Sequence, residues 1–208
     1  MLYFDRHAAG KAVAGKLSQY RERKDVIVIG LARGGVVVAY EVAKELALPL
    51  NVIVPRKIGA PYNPELALGS IMENGQGVFN SSIIHALGVS KSYIASEIEK
   101  EKAKAQQRLS LYRSYAPLPQ IKGSIVILVD DGIATGSTML TAIQAMRKAE
   151  AKVVVVAAPV SSKDAYEAVS READEVFILQ VDENFIGVGM YYQHFDQTDD
   201  QEVVTLLQ

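Results

Sequence analysis

The stretch Ile127-Leu128-Val129-Asp130-Asp131-Gly132-Ile133-Ala134-Thr135-Gly136-Ser137-Thr138-Met139 decides the fold. Its apolar start, Ile125 to Val129, reads as a strand buried on both faces. Two adjacent carboxylates close the strand, and a turn rich in Gly, Ser and Thr opens directly into a helix predicted over 136–149. In open sheets built from such units, ligands bind at the carboxyl ends of the strands.

The same rhythm runs outward in both directions. Upstream, Val26 to Ile29 is a β-branched run closed by Gly30, followed by a glycine turn, a helix from about Gly35 to Leu46 and a strand from Leu50 to Val54. Downstream come strand Val153 to Ala157, helix Lys163 to Glu172 and strand Val176 to Leu179. Apolar strands alternating with helices predict an α/β fold: a central, mainly parallel five-stranded sheet with helices on both faces. Asp5 is a candidate N-cap, and Ala9, Ala12, Val13 and Leu17 predict a first helix ending near Arg23.

Three segments break the rhythm. Leu66–Glu73 and Gln76–Asn80 read as a hairpin across Asn74-Gly75. Ser90–Tyr115 reads as a long, solvated covering helix with a thin stripe of Ile94, Ile98, Ala105, Leu109 and Tyr112. Val181–Phe195 is irregular and glycine-aromatic, ahead of a closing helix over Thr198–Leu206. The expected organisation is a single domain over 1–208, with a small hood formed mainly by 181–195.

Composition narrows the function classes. A net charge of -2 gives no global attraction to nucleic acid or to anionic membranes, and with no cysteine there is neither a disulfide framework nor a thiolate site. Both fit a cytoplasmic protein. His7, His85 and His194 lack metal-ligand spacing. The apolar run Val153–Val160 is strand-length, far below the roughly 18 residues of a membrane span, and Asp5, Arg6, His7 and Lys11 interrupt any signal segment. No membrane association is expected.

The chemistry lies in three stretches. In the first, backbone N–H groups over Gly132, Ile133, Ala134, Thr135, Gly136, Ser137 and Thr138, with the three hydroxyls, make a phosphate cradle at a helix N-terminus. Asp130 and Asp131 cannot bind that phosphate, but they can accept hydrogen bonds from a vicinal diol and stand close to a divalent ion. A phosphate beside a diol is a ribose 5-phosphate. A bare Asp-Asp-Gly is by itself an ordinary turn, and the glycine-lysine P-loop is absent. The second stretch, Gly30-Leu31-Ala32-Arg33-Gly34-Gly35, lets backbone approach an anion, with Arg33 as a bidentate donor. In the third, Pro55-Arg56-Lys57-Ile58-Gly59-Ala60-Pro61-Tyr62-Asn63-Pro64-Glu65, two cations at a strand end precede a Gly/Pro-rich loop segment.

Residues 127–139 resemble the signature of type I phosphoribosyltransferases for phosphoribosyl diphosphate (PRPP): two hydrophobics, two acids, then Ala-Thr-Gly-Ser-Thr. The order of elements is similar to that family over most of the chain. The resemblance implies the type I phosphoribosyltransferase fold, with a flexible β-hairpin loop and a small C-terminal hood. It further implies transfer of the ribose 5-phosphate of Mg-PRPP to a nitrogen acceptor, a nucleobase-like heterocycle, with release of diphosphate. Residues 132–138 then hold the 5-phosphate. Asp130 and Asp131 hold the ribose diol and, mostly through PRPP and water, the magnesium. Ala32, Arg33, Gly34, Arg56 and Lys57 meet the diphosphate, with Arg33 and Lys57 as catalytic cations, and a cis peptide is expected at Ala32-Arg33. In the hood, Phe185 would stack on the acceptor, Ile186 line its pocket and Gly187 offer backbone hydrogen bonds. Within the class the chain is similar to a poorly characterised group sharing the opening Asp5-Arg6-x-x-Ala9-Gly10.

Two departures bear on the acceptor. Ala134 stands where hypoxanthine-guanine enzymes carry an acid-base aspartate, so the general acid or base is unassigned and the position is more like the adenine enzymes. Ala157-Ala158-Pro159-Val160 occupies the strand end where those purine enzymes place a lysine. The expected acceptor is adenine-like before guanine-like. Two other readings stay open: a PRPP-sensing regulator or RNA-binding protein that keeps the site, and a PRPP or diphosphate hydrolase. The helix Lys91–Arg113 carries six basic and three acidic residues, yet only about 24 residues precede the first strand, too few for a helix-turn-helix domain, so nucleic acid is not the expected partner. The class is often dimeric, which makes a homodimer one expected assembly, and no interface is fixed.

Overall fold

The computed structural model describes residues 2–117 and 119–208, and of Glu65 the backbone alone. In chain order, α1 (Arg6–Lys16) precedes β1 (Val26–Leu31), α2 (Gly34–Leu46) and β2 (Leu50–Ile53). There follow β3 (Arg56–Ala60), β4 (Asn63–Ile71), β5 (Gly77–Phe79), α3 (Ser81–Ala86) and α4 (Lys91–Arg113). The second half is β6 (Ile125–Val129), α5 (Ser137–Lys148), β7 (Val153–Ser162), α6 (Lys163–Glu172), β8 (Glu175–Asp182) and α7 (Asp200–Leu206).

The main sheet has the order β2-β1-β6-β7-β8, and every neighbouring pair is parallel. Side-chain alternation splits its strands between two cores. Val28, Ile127, Val129 and Val155 pack under Val13 of α1, Leu17 just past its end, and Val38 and Val42 of α2. Ile29, Val126, Leu128 and Val156 pack under Met139, Ile143, Ala165 and Val169 of α5 and α6. This is the predicted α/β sheet covered on both faces.

The structure corrects several boundaries. α1 stops at Lys16, and a short 3-10 turn over Ser18–Tyr20 carries the chain on, because Leu17 and Tyr20 both turn into the core. The segment expected as a loop at 55–65 is instead β3, the Pro61-Tyr62 turn and the start of β4, within an antiparallel β3-β4-β5 sheet. Ile58, Ala60, Leu68 and Ile71 bury a small core there, closed by Ile83, Ile84, Val89, Tyr93, Ile94 and Ile98 of α3, α4 and the turn between them. α3 is an addition to the expected elements; Asn80 caps it by accepting from Ile83 N–H. α4 is more than a solvated cover, since Ala105 and Tyr112 are fully buried and Glu101 nearly so. β7 runs on past Ala157 to Ser162, and over that extension its only ladder partner among the described strands is β8, so Pro159 sits on a one-sided stretch.

Candidate functional site

Asp130 and Asp131 follow β6 at the carboxyl edge of the sheet. The Asp131 N–H donates to Asp130 Oδ1 at 2.9 Å, Arg6 Nε donates to Asp131 Oδ2 at 2.7 Å, and the Tyr192 hydroxyl donates to the Asp131 carbonyl at 2.6 Å. Burial, and then the neighbouring Asp131 charge, push Asp130 well above the ordinary carboxylate range. Burial raises Asp131 as well, against the opposing pull of Arg6.

The loop that follows is moored to the extension of β7. Ile133 N–H donates to the Val160 carbonyl at 2.9 Å, Ser162 N–H to the Ile133 carbonyl at 3.0 Å, and Ser162 Oγ to the Ala134 carbonyl at 2.7 Å. Gly136, with φ 75°, takes the left-handed conformation and is the N-cap of α5. The first-turn N–H groups of Ser137 and Thr138 lack partners within the helix, as at any helix start. Thr135 is exposed, and Ser137 and Thr138 are half-buried.

The glycine loop between β1 and α2 lies directly against the acids. Its Ala32-Arg33 peptide is cis. A Cβ on Gly34 would lie 2.1 Å from Asp131 Oδ2, and one on Gly35 would lie 2.7 Å from Asp130 Oδ1. Two stretches separated by about a hundred residues of sequence therefore share one crevice, and half-buried Arg33 is the N-cap of α2.

The hairpin sheet brings in the third stretch. Lys57 is exposed and stands opposite Ser70 in the β3–β4 register. Ser70 Oγ lies 2.9 Å from the Ser137 carbonyl and 2.6 Å from Thr141 Oγ1, and Thr141 Oγ1 donates to the Ser70 carbonyl at 3.1 Å, which docks the sheet on the first turn of α5. A cavity of about 440 Å³ lies between them, with Leu66, Phe79, Asn80, Thr135 and Ser137 on its walls. Arg56 points elsewhere: its guanidinium pairs with Glu101 on α4, at 2.8 Å from Nε and 2.6 Å from Nη2. Burial alone would raise Glu101, but hydrogen bonds from Lys104 and Arg56 outweigh it and hold the carboxyl below its usual value.

In the hood, Phe185 stacks on Tyr191 at 5.5 Å between ring centroids, while Ile186 is 85 % exposed and Gly187 has open space beside its Cα. The Tyr191 hydroxyl, pushed up to about 12 by burial and by Asp182, donates to that carboxylate at 2.7 Å. Lys163 is ion-paired with Glu183 of the hood. Gly132 allows the hood to sit on the loop between β6 and α5, since a Cβ there would meet Val188 Cγ1 at 2.6 Å.

Among the described residues no cluster of three or more His, Cys, Asp or Glu side chains could hold a metal by itself. Among the described residues, Asp130 Oδ1 accepts from a backbone N–H, Asp131 Oδ2 accepts from Arg6, and the two carboxyl groups lie beside each other. That donor set fits magnesium, which takes one or two carboxylates and completes its octahedron with phosphate and water. Sequence reasoning missed Arg6, Tyr192 and Ser162; the signal for Arg6 lay in the Asp5-Arg6 motif, while Tyr192 and Ser162 act through contacts no local pattern reveals.

A parallel α/β sheet with an acid pair, a Gly/Ser/Thr-rich turn into a helix and a glycine loop at one crevice is the architecture of type I phosphoribosyltransferases. The phosphoribosyl transferase domain family matches residues 3–193, and the chain belongs to that family. It is 40% identical over 206 residues to a Mycobacterium tuberculosis H37Rv protein provisionally named a phosphoribosyl transferase, covering 99% of this chain and 46% of the other. The chain thus spans about half the length of the curated relatives it matches. It is similar to the crystal structure of TT1426 from Thermus thermophilus, at 39% identity and a TM-score of 0.82, covering 100% of this chain and 98% of that one. The purine phosphoribosyltransferase from Pyrococcus horikoshii shares the fold at 21% identity and a TM-score of 0.50, covering 93% of this chain and 92% of that one. No described helix is long and apolar enough to cross a membrane.

Proposed function

We propose that the chain binds Mg-PRPP and transfers its ribose 5-phosphate to a planar nitrogen heterocycle, adenine-like before guanine-like. The observation that supports this best is the packing of Gly34 and Gly35 against Asp131 and Asp130, which sets a diphosphate loop beside a ribose-binding acid pair and its phosphate loop.

In this reading the N–H groups of residues 132–138, with Thr135, Ser137 and Thr138, hold the 5-phosphate. Asp130 and Asp131 accept from the ribose hydroxyls and fix C1 against the acceptor. Arg33, Lys57 and the backbone over Ala32–Gly34 receive the diphosphate. The acceptor nitrogen forms its bond to C1 as the C1–O bond breaks, and the diphosphate leaves with the electron pair. Asp130 and Asp131 would help to hold a magnesium ion brought with the diphosphate, and that ion would supply neutralisation of the leaving group. Ala134 cannot take the acceptor's proton, so in this reading that proton passes to water or to the departing diphosphate. Ile186 and the backbone at Gly187 face the acceptor, and Phe185 borders it from its stack on Tyr191.

The test is diphosphate release from PRPP and magnesium over a panel of purine, pyrimidine and pyridine bases, with calorimetry of PRPP binding alongside. The expected result is magnesium-dependent PRPP binding, competition by ribose 5-phosphate, and release only with a base. Release without any base favours the hydrolase, binding with no release on any base favours the sensor, and no binding heat overturns the donor itself.

A further inference from the structure

The opening motif Asp5-Arg6-x-x-Ala9-Gly10 has no part in the reaction described above, yet each of its residues helps to deliver one side chain. Asp5 caps α1, its Oδ1 accepting from Ala8 N–H at 2.8 Å. Gly10 marks the crossing with α2: a Cβ there would lie 2.7 Å from Glu41 Cβ and 2.8 Å from the Val38 carbonyl, so the helices approach this closely only over a glycine. Ala9 is fully buried among Tyr3, Val160, Tyr191 and Tyr192.

So seated, α1 aims Arg6 into the crevice, where the side chain is 11% exposed. Its Nε donates to Asp131 Oδ2 at 2.7 Å and its Nη1 to the Asp196 carbonyl at 2.7 Å. The Phe195 ring lies over the guanidinium, 3.9 Å from Cζ to the centroid. Nε is also 2.8 Å from where a Cβ of Gly34 would stand. One guanidinium therefore touches the ribose acid, the glycine loop and the segment that closes the hood.

We propose that Arg6 is a positioning residue that acts through Asp131, holding its carboxylate at the angle from which the other oxygen meets the ribose diol. The inference rests on the PRPP reading. Asp130 and Asp131 are adjacent acids in a packed crevice, and without a fixed counter-charge their repulsion turns one away from the other. The planar guanidinium binds Asp131 and Asp196 at once with little loss of freedom, a geometry a lysine cannot reproduce. Tyr192 holds the Asp131 backbone from the hood side, so carboxylate and carbonyl are both fixed.

The experiment measures ribose 5-phosphate and inorganic diphosphate binding separately, by calorimetry, for wild type, Arg6→Lys and Arg6→Gln, and for Arg6→Gln in an Asp131→Asn background. Arg6→Gln is expected to weaken ribose 5-phosphate by about tenfold and diphosphate by less than about twofold. Arg6→Lys keeps the unfolding temperature and still loses several-fold, which separates positioning from folding. In the Asp131→Asn background Arg6→Gln adds no further loss, as required of a residue that acts through another. Equal losses for both ligands, an undiminished loss in that background, or wild-type affinity in Arg6→Gln overturns the proposal alone. A wild type that binds neither ligand overturns the PRPP reading with it.

Discussion

Gly34 and Asp131 touch with no side chain between them: a methyl group on Gly34 would stand 2.1 Å from Asp131 Oδ2 and 2.9 Å from its Cγ. No carbon approaches a carboxylate oxygen so closely, so Gly34→Ala must displace either the acid or the loop. The expected outcome is a loss of ribose 5-phosphate and diphosphate binding together, each by about tenfold or more. Gly15→Ala is the control, since nothing lies within 4 Å of its Cβ position and it sits inside α1. That variant should gain about 1 kcal/mol in thermal or urea unfolding. Normal binding by Gly34→Ala would remove the contact on which the shared crevice rests.

The two cations assigned to the leaving group should separate from the sugar-phosphate residues in binding. Arg33→Ala and Lys57→Ala are expected to lower turnover, and affinity for diphosphate, by about tenfold or more while changing ribose 5-phosphate affinity little. Calorimetry with each half of the donor gives the answer without the acceptor. Equal effects on both halves mean that the roles are wrongly divided.

Much of this site was legible because its parts are local. A strand, two acids and a glycine-rich helix start occupy thirteen consecutive residues, and each has a physical reason to be where it is. The hairpin across Asn74-Gly75 was legible as β4 and β5, but β3 was harder: Ile58 and Ala60 alternate inward as a strand should, while Gly59 and Pro61 interrupt the pattern, and the register shifts on either side of Gly59. Arg6 stands 125 residues from Asp131, and no spacing rule connects an arginine on a first helix to a strand end beyond the middle of the chain. Glu101 read as one charge of a solvated face, whereas its pairing with Arg56 and Lys104 lets it be buried at 9% side-chain exposure.

That pairing carries its own prediction. Glu101 has a folded pKa below its ordinary value, so its contribution is fully present above the unfolded value of 4.5 and is lost as pH falls through the folded one. Arg56 is a quarter exposed, which moderates the effect. Glu101→Gln is expected to cost about 1–3 kcal/mol at pH 7, with the difference from wild type narrowing below pH 4.5. Urea unfolding at the two pH values measures it; a difference that widens on acidification has the wrong sign.

Asp130 predicts the opposite sign. Burial, and then Asp131, raise its folded pKa above the unfolded value of 3.8, so the native state holds the proton more tightly than the unfolded chain does. Stability from this group is therefore highest at low pH and falls as pH rises from 3.8 toward the folded value, where folding must keep an unwelcome charge. Asp130→Asn removes that charge, and the asparagine Oδ1 can still accept the Asp131 N–H now held at 2.9 Å. In metal-free buffer at pH 7.5 the variant should be the more stable protein, read as a higher Tm than wild type. At pH 4 the advantage should shrink. The same variant should bind ribose 5-phosphate more weakly, because an amide presents one acceptor where the diol needs a full carboxylate. Stability gained where binding is lost is the signature of a charge kept for a ligand. An Asp130→Asn protein that is less stable at pH 7.5, or that binds ribose 5-phosphate as wild type does, would show that the buried charge serves the fold rather than the sugar.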